Sequence, residues 1–387
     1  YDYEVSINKY DSFTLNDKNE GKVVQGEATL EGAEFLINYY SKTADIVDKL
    51  KADPEVAKPE RHWTIGVKKD SSGSFVAKLL DEYLVEDTDN SELFKDDKGN
   101  VYIPFGVLEI EETKAPIGYL PYDIDYGEEE LDRKKYIVID SETFGTGAAL
   151  GKSKIGNTVI RGNIKLEKRE YNTDEYMKGV QFEIKSVATG ESLIIETDEN
   201  GFASTEGMWM SCASESNIEQ KEGFGALPYG KYTVTEIRCE ANEGKQLEPP
   251  ITIDILDEIT YDAFDTMNNE PIIRNVPLPE IGTTARIDGS ERDIISIDDS
   301  SNPATLVDTV SYRFLRAGTT YTLLGKLMVK DEQGEVKEYL KDGEPLTSTI
   351  TFSTDEEYEK SIFEKQGTVD VIFENIDVEG LEGKSLV

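Results

Sequence analysis

Polar and apolar residues alternate along this chain in short runs closed by glycine- and aspartate-rich turns. A period of two is the signature of strands, and it restricts the fold to sheets. The first run reads Tyr3-Glu-Val-Ser-Ile-Asn-Lys9, with Tyr3, Val5, Ile7 and Lys9 on one side. Further runs fall at residues 34–39, 63–67, 74–77 and 101–110, and Asp70-Ser-Ser-Gly73 supplies a hairpin turn. Val, Ile, Thr and Tyr recur in these runs, which makes the chain all-β. The stretch 44–51 is the exception: its apolar Ile46, Val47 and Leu50 predict a short helix. Residues 79–97 are acidic and irregular. The two stretches mark residues at about 41–100 as an insertion into an otherwise compact sandwich.

The plan repeats at the scale of whole domains. Ile164-Lys-Leu-Glu-Lys168 matches residues 5–9, and Val180-Gln-Phe-Glu-Ile-Lys185 matches the strand ending at Tyr39. Tyr229-Gly-Lys-Tyr-Thr-Val-Thr-Glu236 matches Phe105-Gly-Val-Leu-Glu-Ile-Glu-Glu112. One boundary lies near Asn163. The other lies in the run Asn269-Glu-Pro-Ile-Ile-Arg-Asn-Val-Pro277-Leu-Pro279, whose prolines cannot donate to a central ladder and read as a stiff linker. Three domains follow, 1–163, 164–276 and 277–387, arranged as an elongated row. The third carries Ile281-Gly-Thr-Thr-Ala285, Asp308-Thr-Val-Ser-Tyr312 and Gly367-Thr-Val-Asp-Val-Ile-Phe373, the strand and turn spacing of an immunoglobulin-like sandwich.

Asp and Glu outnumber Lys and Arg by 79 to 41, for a net charge of −38. Such a chain repels nucleic acids and anionic membranes and stays soluble when crowded. The acidic turn Asp298-Asp299 lacks the spaced ligand loop of a calcium site, and no metal is expected. The single His62 argues against histidine chemistry, and no Gly-x-Ser-x-Gly elbow is present. No apolar run is long enough to span a membrane, and no leader or anchor is expected within the chain. It opens in mid-pattern and stops inside a strand-like run, so it reads as a piece of a longer protein. Cys212 and Cys239 either pair across the loop carrying Trp209 or remain thiols. Met208, Trp209 and Met210, with Trp63 and His62, either contact a host protein or glycan or pack their own loops.

Lys9 shares its face with core residues, and Glu112 opens Glu112-Thr-Lys-Ala-Pro-Ile-Gly-Tyr119. At these residues the chain resembles Gram-positive surface proteins of the pilin type. The first two segments resemble SpaA, or Cna B-type, prealbumin-like domains. The third, through Pro279-Glu-Ile-Gly-Thr-Thr-Ala285, resembles the VaFE-repeat, or Thr–Gln ester-bond, domain. The resemblance implies a stalk segment at the cell surface, with neighbouring domains or pilin subunits as its partners and no cofactor. It also implies intramolecular Lys–Asn isopeptide bonds with a Glu as proton shuttle. In domain one these would be Lys9, Asn157 and Glu112. In domain two they would be Lys168, Asn269 and Glu236, with Asn268 as the rival acceptor. In domain three it implies an ester-forming Thr283, with Thr284 as rival, supported by Asp308. The glutamine partner of that ester is absent from this chain.

The chemistry needs those residue types. A lysine amine attacks only when neutral, and its solution pKa of ~10.4 keeps it charged. Burial lowers that pKa, a neighbouring carboxyl can carry the proton, and the fold supplies proximity. The reaction happens once, so it is self-modification and not turnover.

Overall fold

The computed structural model describes residues 5–15, 21–121, 134–141, 152–171, 173–213, 218–266, 269–288, 303–316, 318–354 and 367–387. Tyr3, Asn268, Asp298 and Asp299 lie outside them. Three hydrophobic cores form in succession, centred on Phe35 and Trp63, on Phe182 and Tyr232, and on Phe373 and Val310.

The first sandwich is built from β1 (Ser6–Asp11), β2 (Glu34–Tyr40), α1 (Ile46–Ala52), β3 (Arg61–Gly66), β4 (Lys68–Lys69), β5 (Phe75–Lys78), β6 (Gly106–Lys114), β7 (Lys134–Ile139) and β8 (Lys152–Asn157). One sheet has the order β4-β5-β1-β8 and the other β3-β2-β6-β7. The helix forms as the spacing of its apolar residues predicts: Ile46 and Leu50 are buried, and with Tyr40 and Val107 they form a small second core on the outer face of the β2–β6 sheet. The stretch 41–100 is not an insertion throughout, however. It contributes β3 to one sheet and β4 and β5 to the other, because Trp63, Ile65, Phe75 and Ala77 are needed in the core.

The second sandwich comprises β9 (Arg161–Glu170), β10 (Gln181–Ser186), β11 (Ser192–Glu196), β12 (Phe202–Ser204), β13 (Leu227–Pro228), β14 (Gly230–Ile237), β15 (Ile251–Ile255), β16 (Thr260–Asp262) and β17 (Ile272–Asn275). β11-β10-β14-β15 form one sheet; β12, β13, β16 and β17 all pair with β9 in the other. Every second residue of β14 is buried, as one-sided packing demands. β17 corrects the linker reading of 269–279. Pro271 and Pro277 flank this strand without entering it, so Ile272–Asn275 is free to pair along β9.

The third sandwich contains β18 (Glu280–Ile287), β19 (Ala304–Arg313), β20 (Thr320–Lys326), β21 (Met328–Lys330), β22 (Val336–Glu338), β23 (Leu340–Lys341), β24 (Glu344–Pro345), β25 (Thr347–Ser353), β26 (Gly367–Ile376) and β27 (Ser385–Leu386). The orders are β18-β19-β26, β20-β25, β22-β21-β27 and β23-β24. Among the described residues β18 pairs on one edge only, with β19. No helix among the described residues is long and apolar enough to cross a membrane.

Two buried lysine–glutamate–asparagine sites

In the first sandwich, the first and last strands lie side by side and parallel, with Lys9 opposite Ile155 and Asp11 opposite Asn157. Lys9 and Asn157 therefore sit on the same face, two residues apart in register. Glu112 reaches them from β6 of the facing sheet. Lys9 Nζ is 2.6 Å from Glu112 Oε1, both side chains being essentially inaccessible. Asn157 Nδ2 donates to Glu112 Oε2 at 2.9 Å and to the Leu120 carbonyl at 2.7 Å. Its Oδ1 has no donor among the described residues. Burial pushes the Lys9 amine down to about 8, against the pull of Glu112 in the opposite direction. Phe35, opposite Glu112 across β2 and β6, lies under the ammonium with Nζ 5.3 Å from the ring centroid.

The tail of the Glu112 motif has a visible task. Leu120 N donates to Thr158 O, Ile160 N donates to Gly118 O, and Tyr119 bridges Val159. The Gly118-Tyr-Leu120 segment thus clamps the chain just beyond β8 and brings the Leu120 carbonyl to the asparagine amide.

The second sandwich repeats the register of lysine, phenylalanine, glutamate and last-strand asparagine, with one correction to the sequence reading. Lys168 Nζ is 3.1 Å from Glu236 Oε2, and neither side chain is accessible. Burial lowers the Lys168 pKa. Phe182 lies opposite Glu236, with Lys168 Nζ 5.8 Å from its centroid. β17 runs parallel to β9 with Ile273 opposite Lys168 and Asn275 opposite Glu170. Asn275 therefore occupies the register that Asn157 occupies beside Lys9. It is fully buried, and neither its Oδ1 nor its Nδ2 has a hydrogen-bond partner among the described residues. Asn269 does not join the site. It is exposed, at a φ of +54° in the turn before β17, where its N–H donates to Asp265 O. Five residues separate the two asparagines, and only the later one stands on the strand beside Lys168.

Glu236 is more heavily engaged than Glu112. Besides Lys168 it accepts from Asn242 Nδ2 at 3.0 Å and from the Glu248 N–H at 2.7 Å.

A third lysine–glutamate–asparagine grouping serves as an internal contrast. Glu109, on the opposite face of β6, accepts from Asn38 Nδ2 at 3.0 Å, Lys134 Nζ at 3.1 Å and Tyr136 Oη at 3.0 Å. Lys134 is 27% exposed, and the carboxylates of Glu109 and Glu111 outweigh its partial burial and push its pKa up. Its amine is held as an ammonium, so this trio is an ion-pair cluster without the means to react.

Thr283 and Thr284 are both exposed on β18. Ala285 lies opposite Asp308, so Thr283, two residues earlier, shares the face of Asp308 while Thr284 points the other way. Asp308 Oδ1 is buried without a partner among the described residues, and burial raises the pKa of its carboxyl.

Cys212 and Cys239 are free cysteines, not a disulfide. Cys212 Sγ lies 3.5 Å from the Tyr232 hydroxyl near the start of β14, and Cys239 Sγ lies 3.5 Å from Gly179 O beyond its end. That strand keeps the thiols on the order of 15–20 Å apart, well outside disulfide reach. The aromatic residues weighed as ligand contacts are mostly internal. Trp63 is fully buried beside Phe94, Met210 is buried, and Trp209 stacks 3.5 Å over the Arg161 guanidinium and donates to Ile218 O. Met208 is exposed and His62 half-exposed.

No curated protein matches the chain. Among solved structures, the Bacillus anthracis TIE protein shares 13% identity at a TM-score of 0.36; the match covers 97% of this chain and 48% of that one, so the chain spans about half its length. GBS52, a minor pilin of Streptococcus agalactiae, shares 14% identity at a TM-score of 0.23, covering 72% and 98%. A C-terminal fragment of the pilus adhesin SpaC from Lactobacillus rhamnosus GG shares 15% at 0.33, covering 72% and 98%. Residues 162–270 match SpaA, described as a prealbumin-like fold domain, and residues 279–387 match TQ, described as a T-Q ester bond containing domain. The middle sandwich is thus similar to the SpaA prealbumin-like domain and the last to the T-Q ester bond containing domain.

Proposed function

We propose that the chain is a stalk segment of a Gram-positive cell-surface pilin or adhesin. Its three domains meet near Arg161 and Val276, and its first two are each closed by a self-formed amide, Lys9 to Asn157 and Lys168 to Asn275. The observation that supports this best is the repeated register: in both sandwiches a buried lysine on the first strand lies beside a buried asparagine on the last, with a buried glutamate paired to the lysine. Lys9 Nζ, relieved of a proton by Glu112, attacks Asn157 Cγ. The Cγ–Nζ bond forms and the Cγ–Nδ2 bond breaks. Glu112 passes two protons in turn, one taken from the ammonium before attack and one from the tetrahedral adduct, to the departing nitrogen, so the charge lost from Lys9 leaves with the released ammonium. Lys168, Glu236 and Asn275 do the same in domain two. In domain three Thr283, supported by Asp308 on the same face, takes the analogous ester with a glutamine from a strand beside β18.

The mechanical consequence follows from placement. Tension applied at the two ends of a sandwich enters through its first and last strands, and an amide between them carries the load past the fold. Pulling on the whole chain should give no lengthening from the residues inside either loop. Release of about 3.6 Å per residue for an entire first or second domain would contradict the proposal.

The buried amine also sets a pH dependence, visible once the bond is blocked. In an Asn157→Ala chain Lys9 stays free, with a folded pKa of about 8 against 10.5 for the model group in water. Folding then disfavours its ammonium. The penalty is full below pH 8 and fades as pH rises from 8 to 10.5. Denaturant midpoints of domain one should rise across that window in Asn157→Ala and stay level in Lys9→Met/Asn157→Ala.

A further inference from the structure

Two residues after Lys9, a second buried carboxylate is held by donors from three directions. Asp11 is fully buried. It accepts from the Phe13 N–H at 2.8 Å, from the Thr14 N–H at 3.2 Å, and from Gln25 Nε2 at 3.1 Å. It also accepts from the Tyr119 hydroxyl at 2.9 Å. Tyr119 belongs to the clamp whose next residue, Leu120, receives the Asn157 amide. Asp11 is itself directly opposite Asn157 in the β1–β8 register, and the next residue, Ser12, donates its N–H to Asn157 O at 3.0 Å.

The support continues into the next domain. Gln25 Oε1 accepts from Arg161 Nη1 at 2.7 Å, and Arg161 opens β9, the strand that carries Lys168. Arg161 is 1% exposed. Its other donors go to Gly225 O at 2.8 Å, Met210 O at 2.6 Å and Ala226 O, all in domain two, and Trp209 covers its face. The segment around Gln25 is further tied down by Gly26 N donating to Cys212 O at 2.7 Å and Glu27 N to Tyr229 O at 2.9 Å. A guanidinium this thoroughly bonded is a fixed point, and Gln25 passes that fixity to Asp11.

We propose that Asp11 and Gln25 are positioning residues for the Lys9–Asn157 condensation, and that Arg161 of domain two completes the first domain's site by holding them. The proposal rests on reading Lys9 and Asn157 as an amide-forming pair. In physical terms, domain two docks before domain one closes its bond efficiently, because the clamp on Asn157 is steadied from the far side of the domain junction. The order gives the stalk a check: a first domain whose neighbour has not folded stays uncrosslinked and open to proteases.

The test is a pulse of cell-free synthesis of the whole chain, chased at a temperature well below the melting of any variant. Linked peptides containing Lys9–Asn157 and Lys168–Asn275 are counted over time. Gln25→Met keeps the buried volume and removes both relay hydrogen bonds. It should slow the domain-one linkage about tenfold, as displacement of a reacting group by a fraction of an ångström does, and leave the domain-two linkage unchanged. Arg161→Lys, which keeps the charge and loses the fork, should slow domain one in the same direction. Loss of stability alone would not change a rate measured on fully folded protein. Wild-type domain-one kinetics in Gln25→Met would overturn the positioning role while leaving the amide itself intact. Absence of the Lys9–Asn157 peptide from the wild type would overturn both.

Discussion

Asn275→Ala should abolish the domain-two crosslink and lower the melting temperature of that domain by roughly 10–20 °C, while Asn269→Ala should keep the crosslink and lower the melting temperature by only a few degrees, about 1 kcal/mol of backbone strain. The magnitude comes from loop closure. An amide that joins residues on the order of 100 positions apart removes about 4–5 kcal/mol of unfolded-state freedom. A domain of this size, between the small and large classes, shifts by about 4 °C for each kcal/mol. Packing adds little to the difference, since the Asn275 amide has no hydrogen-bond partner among the described residues and its truncation strands no donor. Asn269 is exposed in a turn, where alanine costs only the strain of a positive φ. Equal melting of the two variants, or a crosslink surviving in Asn275→Ala, would return the acceptor to another residue.

Glu112→Gln is expected to have the larger effect in domain one, because two losses add. The shape is kept, but the group that shuttles the proton is gone, so the bond does not form and its 4–5 kcal/mol of closure is lost, by the order-of-magnitude scale above. The Lys9 ammonium then stays buried without its counter-charge, a loss of about 3–5 kcal/mol when one partner of a buried pair is removed. Lys9→Met/Glu112→Gln separates the two. The double variant should recover the charge part and not the covalent part, so a double-mutant cycle on domain-one unfolding should give a coupling of several kcal/mol. A Glu112→Gln chain that unfolds at the wild-type midpoint would show that neither loss is real.

Much of this was legible because strands announce themselves. β1, β2, β6, β9, β10 and β14 follow from alternation, and the domain-scale repeat aligned Lys9 with Lys168 and Glu112 with Glu236. Asn157 was legible as the residue ending the strand before the junction. Asn275 occupies the equivalent place and was hidden by its neighbours. Pro271 and Pro277 made residues 269–279 look like a linker, although both prolines flank β17 and leave its four residues able to pair. The spacing signal lay in the sequence all the same, since Asn275 closes domain two as Asn157 closes domain one. Phe35 and Phe182 were invisible as site residues because a phenylalanine in a strand looks like any other core residue. Only the pairing across β2–β6 and β10–β14 puts them under the lysines. The links from Asp11 to Tyr119 and from Gln25 to Arg161 join positions far apart in sequence, and no local pattern encodes them. The two cysteines were left open between a pair and free thiols for the same reason: sequence alone said nothing of the strand that separates them.

The most direct measurement is the intact mass of the purified chain, followed by tandem fragmentation of its linked peptides. Two amides release two ammonias, roughly 17 Da each, so the chain should weigh about 34 Da less than its sequence. The linked peptides should join Lys9 to Asn157 and Lys168 to Asn275, and no third loss should arise from Lys134. A mass equal to that of the unmodified sequence would contradict the account.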